Sequence, residues 1–300
     1  QDIIPKEYKL ELSGGVFKDL NFKGNILINN NNLNYFIEDF DVEGLLGALK
    51  VTSSSENSSE INTKISSNFR ARIKSDKLTS IDSQTKLKNL IFRRYGMLEA
   101  LSFEEVKFSM IYKNNEIKIT NLYSDLYNGT TIIGEIIVLL NKENLFSEAE
   151  INLNFNKILY SSLTKFWPND FGQKTKNWII TKVTGGFAKD CELSLNLDFL
   201  KTPKVKNLKL NWLHKDSKVS FYKNLPTLNL PEARIKINRE DMTINFNKAI
   251  LARFDIGKGQ LNISPIFNKK ATASLNLKGQ SGLQEVLEFL NHRDLNLISK

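Results

Sequence analysis

Alternation of apolar and polar residues is the dominant pattern of this chain. From Cys191 to Phe199, every odd position is apolar and every even position is polar or charged. A β-strand points successive side chains to opposite faces, so this segment has one apolar and one polar face. The same alternation recurs in segments 8–12, 151–155, 208–212, 235–237, 244–246 and 275–277. One polar face on nearly every strand predicts an antiparallel sheet rather than a parallel sheet covered on both faces.

Turn-forming residues separate these strands at short intervals. Asn128-Gly129 predicts a two-residue hairpin turn, whose central residues both need positive φ. Asn114-Asn115 and residues 142–144 predict looser hairpin ends, and the polar stretches 29–32 and 53–59 predict loops. Hairpin therefore follows hairpin, as in a meander.

Helices are predicted at three places only. Ser281 and Gln284 match a capping box that opens a short amphipathic helix ending near His292. Its apolar positions follow the helical period and are Leu283, Val286, Leu287 and Leu290. A second helix is predicted from about Gln173 to Val183, with Trp178 and Ile179 buried and Gly185-Gly186 ending it. A third is predicted near Tyr95 to Glu105.

The apolar side of such a sheet needs a cover. Two or three short helices cannot cover about a dozen strands, so a second sheet, a closed barrel or a bound ligand must do so. The alternation alone leaves these three solutions open.

Composition predicts a folded protein rather than a disordered one. The chain has 300 residues, of which 41% are hydrophobic and 25% charged. No run of about 18 apolar residues predicts a membrane-spanning helix, and the densest apolar stretch, 132–140, contains Gly134 and Glu135. Because the chain starts at Gln1 and stops at Lys300, we interpret it as a piece of a longer protein.

The basic balance does not predict a nucleic-acid site. The formal net charge is +9, but the lysines are spread along the whole chain. The notable adjacent basic pairs are Arg93-Arg94 and Lys269-Lys270, and no aromatic residues interleave with a basic cluster. Solvated strand faces rich in Lys and Asn explain the charge better.

Residues with reactive side chains are few. Cys191 is the one cysteine, which leaves no disulfide and no thiolate metal site, and its phase in the strand predicts a buried, inert thiol. Of the two histidines, His214 is predicted to be exposed in a hairpin and His292 to end a helix. The acidic pairs Glu104-Glu105 and Glu240-Asp241 are predicted to face solvent in turns.

Known catalytic motifs are missing as well. The sequence has no nucleophile elbow, phosphate-binding loop, zinc-protease motif or dinucleotide fingerprint, and the glycines of 254–259 fall within a strand pattern. We therefore predict a protein that is not an enzyme, with no cofactor and no metal.

One ordered set of features departs from the hairpin pattern. Phe166-Trp167-Pro168 precedes the helix at Trp178 and Gly185-Gly186, and Tyr222 to Pro226 and Arg234 to Ile237 follow. Gly257 to Ile263 and a late helix opened by Gly279 to Gly282 complete the set, which covers about residues 160–297. In order and spacing, this set resembles the AsmA-like family of envelope proteins, in the branch that includes YhdP and its alphaproteobacterial relatives.

The resemblance implies a fold and a function. It implies a long, twisted antiparallel meander that forms an open groove, or half-pipe, with residues 1–159 and 160–300 as two parts of one sheet. The groove would carry phospholipid acyl chains between the inner and outer membranes. The protein would be periplasmic and anchored in the inner membrane by a helix that this chain lacks, with proteins of both membranes as further candidate partners.

The lipid-groove interpretation also assigns roles to residues. The predicted groove lining consists of Leu193, Leu195, Leu197, Leu208, Leu210, Trp212, Ile235, Ile237, Ile244 and Phe246. Trp167, Pro168 and Trp178 are predicted to be a packing plug. Three alternatives remain open: an ordinary sandwich core, a scaffold or chaperone for outer-membrane assembly that pairs through sheet edges, and a basic module for anionic lipid headgroups.

Overall fold

Antiparallel strands make up most of the chain. The computed structural model describes residues 8–10, 17–28, 35–53, 60–74, 77–93, 100–143, 145–163, 173–200, 204–220, 226–251, 254–266 and 272–291. These residues form a large antiparallel sheet with few helices. The predicted mainly β, antiparallel fold is therefore confirmed, whereas the predicted groove shape stays a prediction.

The first nine strands follow one another as a meander. Their bounds are β1 Tyr8–Leu10, β2 Phe17–Ile28, β3 Tyr35–Ser53, β4 Glu60–Lys74, β5 Lys77–Arg93, β6 Leu101–Lys113, β7 Glu116–Leu126, β8 Thr131–Leu140 and β9 Phe146–Leu159. A 3-10 turn, Tyr160–Ser162, follows β9.

The remaining elements include the helices. The strands are β10 Val183–Thr184, β11 Phe187–Asp198, β12 Lys204–Val219, β13 Leu228–Asn238, β14 Asp241–Phe246, β15 Ala249–Leu251, β16 Phe254–Ser264 and β17 Thr272–Gln280. Helix α1 spans Gln173–Lys182 and helix α2 spans Leu283–Leu290. Both helices lie where the sequence predicts them.

The described residues fall into two units. Unit 1 comprises those up to residue 153 together with those between 195 and 206, and unit 2 comprises residues 154–194 and those from 207 onward. In unit 1, β1 to β8 pair in chain order. In unit 2, β12 pairs with β13, β13 with both β14 and β15, and both of these with β16, which pairs with β17. The predicted division at residues 159 and 160 stays a prediction.

Strand β13 shows how the alternation becomes packing. Its apolar residues Ala233, Ile235 and Ile237 are buried, whereas Arg234 and Lys236 between them are exposed. Burial of the apolar set removes hydrocarbon from water, and the charged set stays hydrated. The sequence pattern therefore determines which face of the strand is buried and which faces solvent.

Of the two hairpin turns predicted at asparagines, each has the geometry that was predicted for the other. Asn114 and Asn115 both have positive φ, 52° and 61°, and Lys113 pairs directly with Glu116. They form the tight two-residue turn that was predicted for Asn128-Gly129. The latter lies in a four-residue connection, residues 127–130, in which only Gly129 has positive φ and the Asn128 side chain accepts a hydrogen bond from the Thr130 amide.

The third predicted helix is wrong where the structure describes it. Leu101 to Glu105 belong to β6, and they pair with β5 on one side and β7 on the other. A register shift between Phe103 and Glu105 interrupts the alternation and hides the strand pattern. Residues 95–99 lie outside the described residues.

The prediction that the acidic pair Glu104-Glu105 lies in a turn is wrong. These residues lie within β6 rather than in a turn. Glu104 is exposed, but Glu105 is half-buried and forms ion pairs with Lys86 and Lys107, which lower the pKa of its carboxyl group. The pair therefore belongs to cross-strand packing of the sheet.

Strand β8 is apolar on both faces. Ile132, Ile136 and Val138 lie on one face, and on the other Ile133 is 50% exposed and Leu139 39%. Glu135 is the one charged residue of the strand. One side of β8 therefore exposes hydrocarbon to solvent, and the other side contributes hydrocarbon to the face that β8 shares with its neighbouring strands in unit 1.

Candidate functional site

The register of β4 to β8 builds a continuous apolar face in unit 1. Directly paired residues of antiparallel strands lie on the same face. Three rows cross the five strands: Phe69–Ser83–Met110–Ile119–Ile136, Ala71–Ile81–Tyr112–Ile117–Val138 and Ile65–Leu87–Val106–Ser124–Ile132. We call these residues the unit-1 apolar face. On the opposite face, the alternate residues Asn68, Gln84 and Lys107 are exposed.

Most of the unit-1 apolar face is half-buried rather than buried. Met110, Ile119 and Ile136 in the first row each keep part of their surface in water, whereas Val106 is buried. Apolar side chains in a close-packed interior lose nearly all contact with solvent. This face thus retains hydrocarbon surface that a further apolar group can cover.

Unit 2 has its own apolar face, formed by β12, β13, β14 and β16. Ile235 pairs with Trp212 and with Ile244, and Ile237 pairs with Leu210. Leu208 and Phe246 fall in phase with these residues on their strands. The structure therefore brings most of the predicted groove lining onto one face: Leu208, Leu210, Trp212, Ile235, Ile237, Ile244 and Phe246.

Burial varies across the unit-2 apolar face. Leu208, Ile235, Ile237 and Phe246 are buried, and the rest of this set is half-buried. The Phe246 ring lies so close over Gly259 that a Cβ there would come within 2.2 Å of it. Gly259 thus makes room for an aromatic ring that fills this part of the face.

The other predicted site residues are placed less completely. Leu193 lies in unit 2 and Leu195 and Leu197 lie in unit 1, each half-buried on β11, and their place in a common groove stays a prediction. Trp167 and Pro168 lie outside the described residues. Trp178 lies in α1, and its side chain is also outside what the structure describes.

A buried polar network lies at the end of the unit-2 apolar face. His214 is only 3% exposed, although it is predicted to be an exposed hairpin residue. That prediction is wrong because β12 does not end at Leu213 but continues to Val219, and His214 pairs with Ala233. The left-handed backbone at Asp216, with φ of 53°, then turns Ser217 to the buried side as well.

Four side chains form this network. Trp212 Nε1 donates to the Tyr160 hydroxyl oxygen at 3.0 Å. The same oxygen lies 2.6 Å from His214 Nδ1, and Ser217 Oγ lies 2.6 Å from His214 Nε2. Because the Tyr160 oxygen accepts from Trp212, its own proton is placed to be donated to Nδ1, and the ring proton of the neutral histidine is then assigned to Nε2.

Burial shifts the pKa values of the titratable groups in and beside the network. It lowers the pKa of His214 from its ordinary 6.5 to about 4, against the opposing effects of a hydrogen bond with the Leu230 backbone and of the Asp216 charge. It raises the pKa of Tyr160 well above 10, and together with the Asp190 charge it raises the pKa of the nearby Cys191 thiol to about 12. All three groups are neutral near pH 7, and the predicted burial of Cys191 is confirmed.

Sequence patterns contain a signal for this network. His214 continues the phase of Leu208, Leu210 and Trp212, which are the inward residues of β12. If the alternation is extended two residues beyond Trp212, it predicts that His214 lies on the inward face of β12. The unit-1 apolar face has no comparable signal, because its rows depend on the register of five strands.

Neither a metal-binding group nor a membrane-spanning helix is present among the residues described. No group of three or more His, Cys, Asp or Glu side chains is arranged to hold a metal ion in that part of the chain. Among the same residues, none of the helices has the length and apolar character to cross a membrane.

Neither a scan against protein-family models nor a search of curated proteins finds a match.

Proposed function

We propose that this chain is a lipid-binding segment of a bridge-like protein that carries phospholipid acyl chains between the inner and outer membranes of a cell envelope. The role is non-catalytic. The observation that carries the proposal is the unit-1 apolar face, which extends in register over five strands yet stays half-buried. The resemblance of residues 160–297 to the AsmA-like family supports the same role.

Energetics favour a hydrocarbon guest on such a face. Burial of each methylene contributes about 0.8 kcal/mol, so a chain of about 15 carbons gains on the order of 10 kcal/mol. That gain is similar to the whole stability of a typical domain. A bound chain would therefore be retained through purification when no detergent competes for the face.

The direct test is the lipid content of the purified protein. We expect mass spectrometry of an organic extract, prepared from protein purified without detergent, to show phospholipid in a fixed ratio to protein. An extract free of lipid, from protein that is folded by circular dichroism, would refute the proposal.

Placing a carboxylate on the apolar face is expected to remove the lipid. Ile132 is half-buried in the third row of the unit-1 apolar face, so Ile132→Asp sets a charge against hydrocarbon. We expect the lipid-to-protein ratio to fall at least about tenfold, since each 1.4 kcal/mol of lost binding is about tenfold. The extract and its mass spectrum supply the measurement.

A matched control lies at the next residue. Ile133 is 50% exposed on the opposite face of β8. Ile133→Asp therefore makes the same substitution without touching the unit-1 apolar face and should keep the lipid. Equal loss in both variants would show that charge, not the apolar face, sets the lipid content.

A further inference from the structure

Two serine hydroxyls on the unit-1 apolar face have no hydrogen-bond partner among the described residues. Ser83 is 5% exposed and Ser124 3%, and the Oγ atom of each is enclosed. Buried hydroxyls are almost always paired, because an unpaired one loses its hydration without compensation. These two atoms therefore stand out from their surroundings.

Other hydroxyls nearby do find partners. The Ser67 and Thr85 hydroxyls lie 2.9 Å from each other on neighbouring strands. The buried Thr63 hydroxyl donates to the Lys88 carbonyl oxygen at 3.2 Å. The sheet can thus satisfy hydroxyl groups within itself, and the unpaired state of Ser83 and Ser124 is particular to their positions.

The register places both serines on the apolar side of the sheet. Ser83 is paired across the strands with Phe69 and Met110, whereas its chain neighbours Asp82 and Gln84 are exposed on the other side. Ser124 is paired with Val106 and Ile132. Each hydroxyl is therefore a single polar group set into a row of hydrocarbon.

We propose that Ser83 and Ser124 are polar contact points for a bound amphiphile, each donating a hydrogen bond to an ester carbonyl oxygen of a lipid whose acyl chains lie on the unit-1 apolar face. This inference rests on the proposed function. A serine needs only a change between staggered rotamers to turn its hydroxyl toward a guest, and the unbranched Met110 side chain beside Ser83 can move aside. The ligand class is an acyl ester rather than a plain hydrocarbon.

The two serines are separate contact points. They lie two strands apart, roughly 10 Å across the sheet, and four residues apart along β5, roughly 13 Å. One ester group cannot reach both hydroxyls. The two esters of one phospholipid lie on adjacent glycerol carbons, so each serine contacts a different lipid molecule, and the two sites should respond independently.

The experiment compares two soluble probes. One is a short-chain, ester-linked phosphatidylcholine used below its micelle concentration, and the other is its ether-linked analogue, which lacks the carbonyl oxygens. Titration calorimetry measures the affinity of each for the wild type, Ser83→Ala, Ser124→Ala and the double variant. Ser109→Ala, which removes a hydroxyl from the opposite face of β6, serves as the control.

We expect each alanine to lower the affinity of its own site for the ester probe about 3- to 10-fold and to leave the affinity for the ether probe unchanged. Each single variant should keep the other site at the wild-type affinity, and the double variant should have both sites weakened. The unliganded variants should melt at the same temperature as the wild type or higher, because an unpaired buried hydroxyl is removed. Ser109→Ala should bind both probes as the wild type does.

Each other outcome overturns the inference in a recognisable way. If the wild type binds both probes and the alanines change neither affinity, the serines are not contact points, although the proposed function stands. An equal loss for both probes would mean altered packing, and a lower melting temperature would mean a structural partner for the hydroxyl. A wild type that binds neither probe and carries no lipid would remove the proposed function as well.

Discussion

Gly186→Ala is expected to lower the free energy of unfolding by about 3 kcal/mol. Gly186 has φ of +76°, where a Cβ costs about 1–2 kcal/mol. The new Cβ would lie 2.4 Å from the Lys215 carbonyl oxygen and 2.9 Å from Ser217 Cβ, and such overpacking adds about 1–3 kcal/mol. Denaturant titration followed by circular dichroism measures the change.

Gly129→Ala is the matched control for the clash. Gly129 has the same φ of +76°, but nothing lies within 4 Å of a Cβ built there. Only the backbone strain remains, so the loss should stay near about 1 kcal/mol. If both variants lost the same stability, the close packing of Gly186 against β12 would not be what makes glycine necessary.

The buried His214 is expected to make unit 2 sensitive to acid. Its pKa is about 4 in the folded protein and near its ordinary 6.5 in the unfolded chain. Between these two values the unfolded chain binds more protons, so stability is complete above pH 6.5 and falls as the pH drops toward 4. The shift corresponds to roughly 3 kcal/mol, which should be lost between pH 7.5 and pH 4.

The groups around the imidazole oppose this effect only in part. Tyr160 on the 3-10 turn and Cys191 on β11 are neutral, Ser217 has no charge, and β13 contributes the Leu230 backbone. The Leu230 backbone hydrogen bond and the charge of Asp216 favour the protonated form, and together they do not offset the effect of burial. Protonation would also place a second donor where Nδ1 is assigned to accept from Tyr160.

Comparison with a variant isolates the histidine from the carboxyl groups. His214→Gln keeps a polar side chain but cannot titrate, so its loss of stability between pH 7.5 and pH 4 should be smaller by roughly 2–3 kcal/mol. Denaturant midpoints at both pH values give this difference directly. Parallel pH curves for the two proteins would show that His214 is not the acid-sensitive group.

The sequence predicts strands well where the alternation is unbroken. In β13 and β14 the phase of Ile235, Ile237, Ile244 and Phe246 identifies the buried or half-buried face correctly, because period 2 admits one solution once a face is apolar. The positions of both helices were also predictable, because apolar spacing and a capping box mark α2 and Gly185-Gly186 lies shortly beyond the end of α1.

Prediction fails where one residue disturbs the alternation. The shift at Glu105 made a strand resemble a helix, and the left-handed Asp216 concealed that His214 and Ser217 face the same side. The rows of the unit-1 apolar face depend on how five strands align, which turn geometry and bulges decide. The type of the Asn114-Asn115 turn likewise followed from the direct pairing of Lys113 with Glu116 and not from residue type alone.

The two apolar sides of β8 carry a risk before folding is complete. Thr131–Leu140 is a β-prone stretch without proline and with a single charge, a composition typical of segments that stack into fibrils. Glu135 opposes such stacking, because identical strands stacked in register would place their Glu135 charges next to one another, where they repel. A ribosome-bound chain that has not yet supplied β9 would depend on that one carboxylate, or on a chaperone, to stay out of aggregates.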